Sequence, residues 1–147
     1  VKNGKIDINK PAKIFGIFEA KMKSNLSQKT THTDDYNQAS RIIACILSNT
    51  KETTECFFGV VAPEKYLEKH KIKELIDKEK IHNQIKKRFD AYDDTFKHQK
   101  KAQDILMRID SLNIMLISYE SWIDVFQNEA REELMDFYEK SKKWNKL

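Results

Sequence analysis

The sequence has few glycines, prolines and cysteines and no long hydrophobic run. Three glycines cannot supply the glycine-rich loop of a phosphate-binding site. Its two cysteines, Cys45 and Cys56, lack the spacing of a zinc site or a disulfide framework, so we interpret them as reduced core thiols. No apolar run approaches the roughly 18–20 residues that span a bilayer. The N-terminus is polar and does not resemble a signal peptide. We therefore expect a cytoplasmic protein without a membrane partner.

Histidine is also sparse, and its four copies are dispersed in polar surroundings. They pair with no cysteine or aspartate at ligand spacing, and no Ser-His-Asp arrangement can be built from the chain. The 147 residues contain 39% hydrophobic and 34% charged residues, which predicts one soluble globular domain over residues 1–147. The chain begins with Val1, so it is compatible with a protein that continues upstream.

Charge is unevenly distributed along the chain. Residues 1–33 contain seven lysines and only two acids, Asp7 and Glu19, whereas the other 114 residues sum to −1. A positive field around two isolated carboxylates suits a polyanionic substrate. A solvated basic hairpin without a function explains the same charges.

Hydrophobic patterning predicts an α/β domain with a mixed central sheet. Strand patterns lie over 4–8, 14–21, 56–61 and 113–118, the first two joined as a hairpin. A helix is predicted from an N-cap at Thr33 or Asp34 to about residue 49. A helical insertion of two or three helices occupies about 64–110, and Phe137, Tyr138 and Trp144 predict a last helix that docks at least in part. The 14–21 strand is expected near the middle of the sheet.

The strand over 14–21 ends in two charged residues, Glu19 and Lys21. Because side chains alternate along a strand, these two emerge on the same face. Asp7 and Glu19 on adjacent strands, with the backbone carbonyl of Ala20, would hold a hard cation such as Mg²⁺. Lys21 would then orient or deprotonate a water molecule beside a phosphate, and Gln38 would position that phosphate or water.

These residues resemble the PD-(D/E)XK nuclease superfamily. Its core carries an Asp on one strand, Glu-X-Lys on the next and often an amide residue on the covering helix. The resemblance implies a restriction-endonuclease-like three-layer core and a DNA endonuclease, of restriction or other defence type. It implies Mg²⁺, with Mn²⁺ as a substitute, held by Asp7, Glu19 and Ala20. It also implies that Asp7, Glu19, Lys21 and Gln38 are catalytic.

Three further basic residues are candidates for contacts to DNA phosphates. Lys23 and Lys29 lie in a polar loop rich in hydrogen-bond donors, and Arg41 follows Gln38 by about one helical turn. Cleavage of both strands would favour a two-fold homodimer.

Other interpretations remain open. Glu19 and Lys21 also fit an ion pair at a sheet edge, and Asp7 fits a carboxylate that caps a turn. The whole chain also fits a catalytically inactive nucleic-acid-binding or protein-interaction domain on the same fold.

Overall fold

A computed structural model of the protein shows an α/β domain. The structure describes residues 12–24, 26, 36–91 and 96–146, without the side chains of 96–98. Its elements in chain order are β1 (Ile14–Ala20), α1 (Gln38–Asn49), β2 (Glu55–Ala62), α2 (Glu64–Lys69), α3 (Ile72–Leu75), α4 (Lys78–Asp90), α5 (Phe96–Arg108), β3 (Asn113–Ser118), α6 (Tyr119–Ile123) and α7 (Asn128–Asn145). The α/β class and the strands over 14–21, 56–61 and 113–118 are confirmed.

The three described strands form a parallel sheet in the order β1-β2-β3. Ile17 lies opposite Phe58, and Phe58 lies opposite Ile114. Helical crossovers join consecutive strands, which is the connection that parallel neighbours require. The mixed sheet is therefore not found among these strands, and β1 is an edge strand of the described sheet instead of a central one. The predicted hairpin strand over 4–8 lies outside the described residues.

The central strand β2 is covered on both faces, as its continuous apolar run predicts. Phe58, Val60 and Ala62 on one face are fully buried, and Val61 on the other is 5% exposed. Helix α1 packs directly on β1 and β2, and α4 and α5 pack against α1. The hydrophobic core therefore lies between the sheet and this helical group.

Two glycines of the sheet accommodate the aromatic rings of their partners on the neighbouring strand. Gly16 pairs with Phe57, and Gly59 pairs with Phe18. A Cβ atom would lie 2.1 Å from the Phe57 ring at Gly16 and 2.3 Å from the Phe18 ring at Gly59. The two rings contact each other with centroids 5.3 Å apart. Each ring therefore occupies the space above the glycine on the other strand.

Helix α1 begins later than predicted. Its N-cap is Asn37, whose side chain accepts a hydrogen bond from the Ser40 backbone N–H at 2.8 Å. The predicted caps at Thr33 and Asp34 lie in a stretch that the structure does not describe, and the N-cap prediction is corrected to Asn37. Asn37 is favoured as the N-cap because its side-chain amide also donates a hydrogen bond to the Leu75 carbonyl at 2.9 Å. This bond connects the start of α1 to the end of α3.

The described part of the segment between β2 and β3 contains four helices where two or three were predicted. The additional break precedes α4, where Asp77 accepts a hydrogen bond from the Lys80 backbone N–H at 3.0 Å. Ile81 and Ile85 are fully buried, and Phe89 packs against the same core. These residues form the face of α4 that packs into the core.

The predicted partial docking of the last helix is confirmed through one of its three aromatic residues. Tyr138 is 4% exposed, whereas Phe137 and Trp144 are 63% and 76% exposed. Phe137 and Trp144 are seven residues apart and share a helix face, while Tyr138 faces α6 through a ring contact with Tyr119. None of the helices in the described part of the chain is long and apolar enough to cross a membrane.

Candidate functional site

Glu19 and Lys21 lie at the carboxyl end of β1, on the face that packs against α1. Phe15 and Ile17 on this face contact the hydrophobic core, and alternation places Glu19 and Lys21 next along the same face. The Lys21 backbone N–H donates to the Val61 carbonyl at 2.7 Å, which extends the strand pairing by one residue. The position of both charged side chains is thus fixed by the sheet.

Glu19, Lys21 and Gln38 form a closed triangle of polar contacts. The Lys21 Nζ lies 2.7 Å from Glu19 Oε1, and Gln38 Nε2 donates to the same oxygen at 2.8 Å. Lys21 Nζ also donates to Gln38 Oε1 at 3.1 Å. The structure therefore brings together three of the four residues that the sequence analysis predicted to be catalytic.

The two charged groups of this triangle are largely shielded from solvent, so they depend on their contacts with each other and with Gln38. The Lys21 side chain is 7% exposed and that of Glu19 is 22% exposed. A buried ammonium group is strongly unfavourable without a counter-charge and hydrogen-bond acceptors. Glu19 supplies the charge and Gln38 supplies a second acceptor. The result is a carboxylate in fixed orientation at the protein surface, with an ammonium group directly behind it.

Gln38 is held in place by contacts beneath the first turn of α1. The Gln84 Oε1 of α4 accepts hydrogen bonds from the Asn37 backbone N–H at 3.2 Å and from Ser40 Oγ at 2.6 Å. Asn37 and Ser40 are buried. The sequence analysis did not identify these positioning residues. Asparagine is a common N-cap residue and could have indicated Asn37, whereas no local pattern indicates Gln84.

The remaining predicted site residues are only partly brought together. Asp7 and Lys29 lie outside the described residues. The Ala20 backbone lies between Glu19 and Lys21 at the end of β1, and Arg41 is exposed on α1. Within the residues that the structure describes, no group of three or more His, Cys, Asp or Glu side chains is placed to hold a metal ion. Of the two carboxylates in the predicted metal site, Glu19 is the one that lies among the described residues.

Lys23 lines a basic cavity at the same edge of the sheet. The cavity has a volume of about 560 Å³. Its lysines are Lys23, Lys65, Lys69, Lys142 and Lys146, and its acids are Glu64 and Glu120. Pro63 directly follows β2 and Glu120 closely follows β3, so the cavity lies at the carboxyl ends of the strands. Ligands of open α/β sheets bind at this edge.

Most of the basic cavity was not predicted. Its lysines come from the segment after β1, from α2 and from the end of α7, which are far apart in sequence. Lysine content alone gave no signal, because exposed lysines are common on mixed-charge helices. Only the folded chain brings them to one edge.

Tyr138 and Glu120 form the polar wall of this cavity. The Tyr138 hydroxyl donates to Glu120 Oε1 at 2.6 Å, and the Glu64 backbone N–H donates to Glu120 Oε2 at 3.0 Å. Burial, followed by the hydrogen bond and the charge of Glu120, raises the pKa of Tyr138. The Lys142 ammonium lies 4.8 Å from the Tyr138 ring centroid. Tyr138 is therefore a neutral donor that fixes Glu120 between the lysines.

No protein-family model, curated protein or solved structure matches the chain.

Proposed function

We propose that this chain is a Mg²⁺-dependent endonuclease domain of restriction or other defence type that hydrolyses DNA phosphodiester bonds. The observation that carries the proposal is the contact triangle of Glu19, Lys21 and Gln38 at the carboxyl end of β1. In a Glu-X-Lys tripeptide that occurs by chance, an amide side chain from a distant helix would not be expected to contact both charged groups. We further propose that the parallel sheet and its helices belong to a restriction-endonuclease-like three-layer core.

The residues at this site suit a magnesium ion. Mg²⁺ is commonly held by one or two carboxylates together with water and substrate phosphate oxygens. Glu19 provides a partly exposed carboxylate, and Asp7 and the Ala20 carbonyl are the proposed additional ligands. When bound, the ion would polarise the scissile phosphate and acidify a water molecule. Mn²⁺ has the same preference for oxygen ligands and would substitute.

The chain's own residues would orient the reaction. Lys21 is held beside the Glu19 carboxylate, so its ammonium is placed to offset negative charge that develops on the phosphate. Gln38 contacts both charged groups and would keep their separation fixed during turnover. Its amide would also position a water molecule or phosphate oxygen. This preorganisation is the contribution that we assign to the triangle.

The basic cavity supports a polyanionic substrate. Five lysines against two glutamates would attract a phosphodiester backbone, with Lys23 nearest in sequence to the proposed catalytic lysine. Lys29 and Arg41 are proposed as further phosphate contacts. Such contacts release counterions, so DNA binding should weaken steeply as salt concentration rises.

Plasmid cleavage tests the proposal. The purified chain should nick supercoiled DNA with Mg²⁺ or Mn²⁺ and lose this activity in EDTA. Lys21→Met and Glu19→Gln should lower the rate by a factor on the order of 10² or more while DNA binding is retained. Lys13→Met is the matched control, because Lys13 is exposed just before β1 and its loss should leave cleavage unchanged.

A second candidate is a nucleic-acid-binding domain without catalysis. The mutual satisfaction of Glu19, Lys21 and Gln38 favours it, because such a triangle is also a complete structural ion pair. If wild type and all three variants bind DNA equally and none cleaves it, this second function is correct. If no salt-dependent DNA binding occurs, a protein-interaction domain is the remaining alternative.

We also propose a cytoplasmic location. Both cysteines are free thiols, and Cys56 is buried, which is compatible with a reducing compartment.

A further inference from the structure

The last helix exposes an apolar stripe. Ala130, Leu134, Phe137, Ser141 and Trp144 recur at spacings of four and three residues along α7, which is the spacing of a coiled-coil seam. Phe137 and Trp144 are 63% and 76% exposed, and Leu134 is 37% exposed. Contiguous exposed apolar patches larger than a few hundred Å² mark interaction sites on soluble proteins.

Helix α7 also has little support from its own domain. Of its 18 residues, all described, Tyr138 alone is buried. Most helical stability in proteins comes from packing of an apolar face. The stripe on α7 is available for such packing, whereas its contacts within the domain are mainly with α6.

The stripe continues into a groove formed with α6. The groove has a volume of about 420 Å³ and is lined by Met22, Trp122, Phe126, Leu134 and Phe137. Trp122 and Phe126 are 51% and 41% exposed. The exposed parts of the four aromatic side chains of this surface, Trp122, Phe126, Phe137 and Trp144, together amount to roughly 400–500 Å². This is about half of the area that one partner contributes to a standard interface.

The stripe is complementary to itself in the antiparallel direction. If two copies of α7 cross with Phe137 on a two-fold axis, Ala130 lies opposite Trp144 of the second copy. Leu134 then lies opposite Ser141. Leu134 and Trp144 then each meet a small side chain and Phe137 meets Phe137 of the second copy, whereas a parallel arrangement would also place Trp144 against Trp144. Packing at interfaces requires this kind of shape complementarity.

Charge along α7 selects the same direction. Residues 128–139 contain five acids and one arginine, and residues 140–146 contain four lysines and no acid. The same charge distribution also suits the helix dipole, so it does not by itself indicate a partner. The apolar stripe indicates a partner, and the charges favour the antiparallel direction. Antiparallel pairing places Glu133 near Lys140 of the second copy.

From these observations we infer that the α6–α7 surface binds a second copy of this chain, with the two α7 helices antiparallel about Phe137. This isologous interface goes beyond the proposed nuclease function and does not depend on it. Met22 lines the groove and follows Lys21 in the chain. The interface therefore lies near the candidate active site of each copy.

Sedimentation equilibrium and light scattering of the 147-residue chain test this inference. Wild type should be a dimer, and Phe137→Asp and Trp144→Asp should each raise the dimer Kd on the order of 30-fold or more, as for buried aromatic hot spots. Both side chains are exposed in the monomer, so circular dichroism should show an unchanged fold. Met107→Asp is the matched control, because Met107 is 69% exposed on α5 and its replacement should leave the dimer intact.

Charge exchange separates the antiparallel dimer from other associations. Glu133→Lys and Lys140→Glu should each weaken the dimer, because each places like charges opposite one another. The double variant should restore most of the affinity. A wild type that stays monomeric at about 100 µM, well above the Kd of functional interfaces of standard size, would overturn the inference, as would a dimer indifferent to Phe137→Asp. A monomer is also the result expected if another part of this chain or a different protein covers the stripe.

Discussion

Removing Glu19 from the contact triangle should destabilise the fold by more than a surface charge normally does. Glu19→Ala leaves the Lys21 ammonium, which is 7% exposed, with Gln38 Oε1 at 3.1 Å as its remaining partner in the triangle. Loss of one partner of a buried pair costs about 3–5 kcal/mol. The Glu19 side chain is 22% exposed, so we expect the lower end, about 3 kcal/mol.

A second substitution removes the cause of that destabilisation. In Glu19→Ala/Lys21→Met no buried ammonium is left unpaired, so the double variant should recover about 1–3 kcal/mol relative to additivity. Urea denaturation followed by circular dichroism gives the four free energies of unfolding for the cycle. Glu74→Ala is the matched control, because its ion pair with Lys71 is well exposed on both sides, and it should cost less than about 1 kcal/mol.

The same cycle separates a structural role from a catalytic one. The double variant should regain stability without regaining DNA cleavage, since both charged groups are absent. A loss of less than about 1 kcal/mol in Glu19→Ala would refute the reasoning about burial. Cleavage by the double variant would refute the catalytic assignment of both residues.

Three further outcomes are expected. Asn37→Ala should lower the free energy of unfolding by about 2–3 kcal/mol, because it removes an N-cap and leaves a carbonyl of α3 without its donor; Asn37→Ser keeps a capping oxygen without burying a charge and should cost less, and equal losses would contradict this. Stability should fall as pH rises above 10.0, the ordinary tyrosine pKa, toward the raised pKa of folded Tyr138; alkaline denaturation of Tyr138→Phe should show a smaller fall, and an equal fall would contradict the assignment. Lys65→Ala or Lys142→Ala should each reduce the salt dependence of DNA binding by about one unit of slope; Lys51→Ala, before β2, should not, and equal slopes in all would exclude the cavity as the binding surface.

The sequence was sufficient to predict the three described strands and the proximity of Glu19, Lys21 and Gln38. Continuous apolar runs identified β1, β2 and β3, because strands buried in a parallel sheet lack polar alternation. Alternation within β1 placed Glu19 and Lys21 on one face. Gln38 was predicted from its position just outside the apolar stripe of the next helix, and its contacts with both charged residues agree with that prediction.

Sequence reasoning failed where the outcome depended on distant partners. Thr33, Asp34 and Asn37 are all suitable N-cap residues, and only the Leu75 carbonyl and the Gln84 side chain favour Asn37. The basic cavity depends on Lys65 and Lys142, which no local pattern connects.

Aromatic composition was also an unreliable guide to docking. Phe137 and Trp144 are as apolar as a core residue, and the sequence does not state whether their partner lies in the same domain. Their exposure is the finding that led to the proposed dimer surface.

The Mg²⁺ dependence of the single-turnover cleavage rate tests the central claim most directly. If Glu19 holds the ion and Lys21 acts on the phosphate, Glu19→Gln should shift the half-saturating Mg²⁺ concentration upward by about tenfold or more. Lys21→Met should lower the maximal rate and leave that concentration unchanged. Absence of cleavage by the wild-type chain at every Mg²⁺ and Mn²⁺ concentration, with DNA bound, would contradict the account.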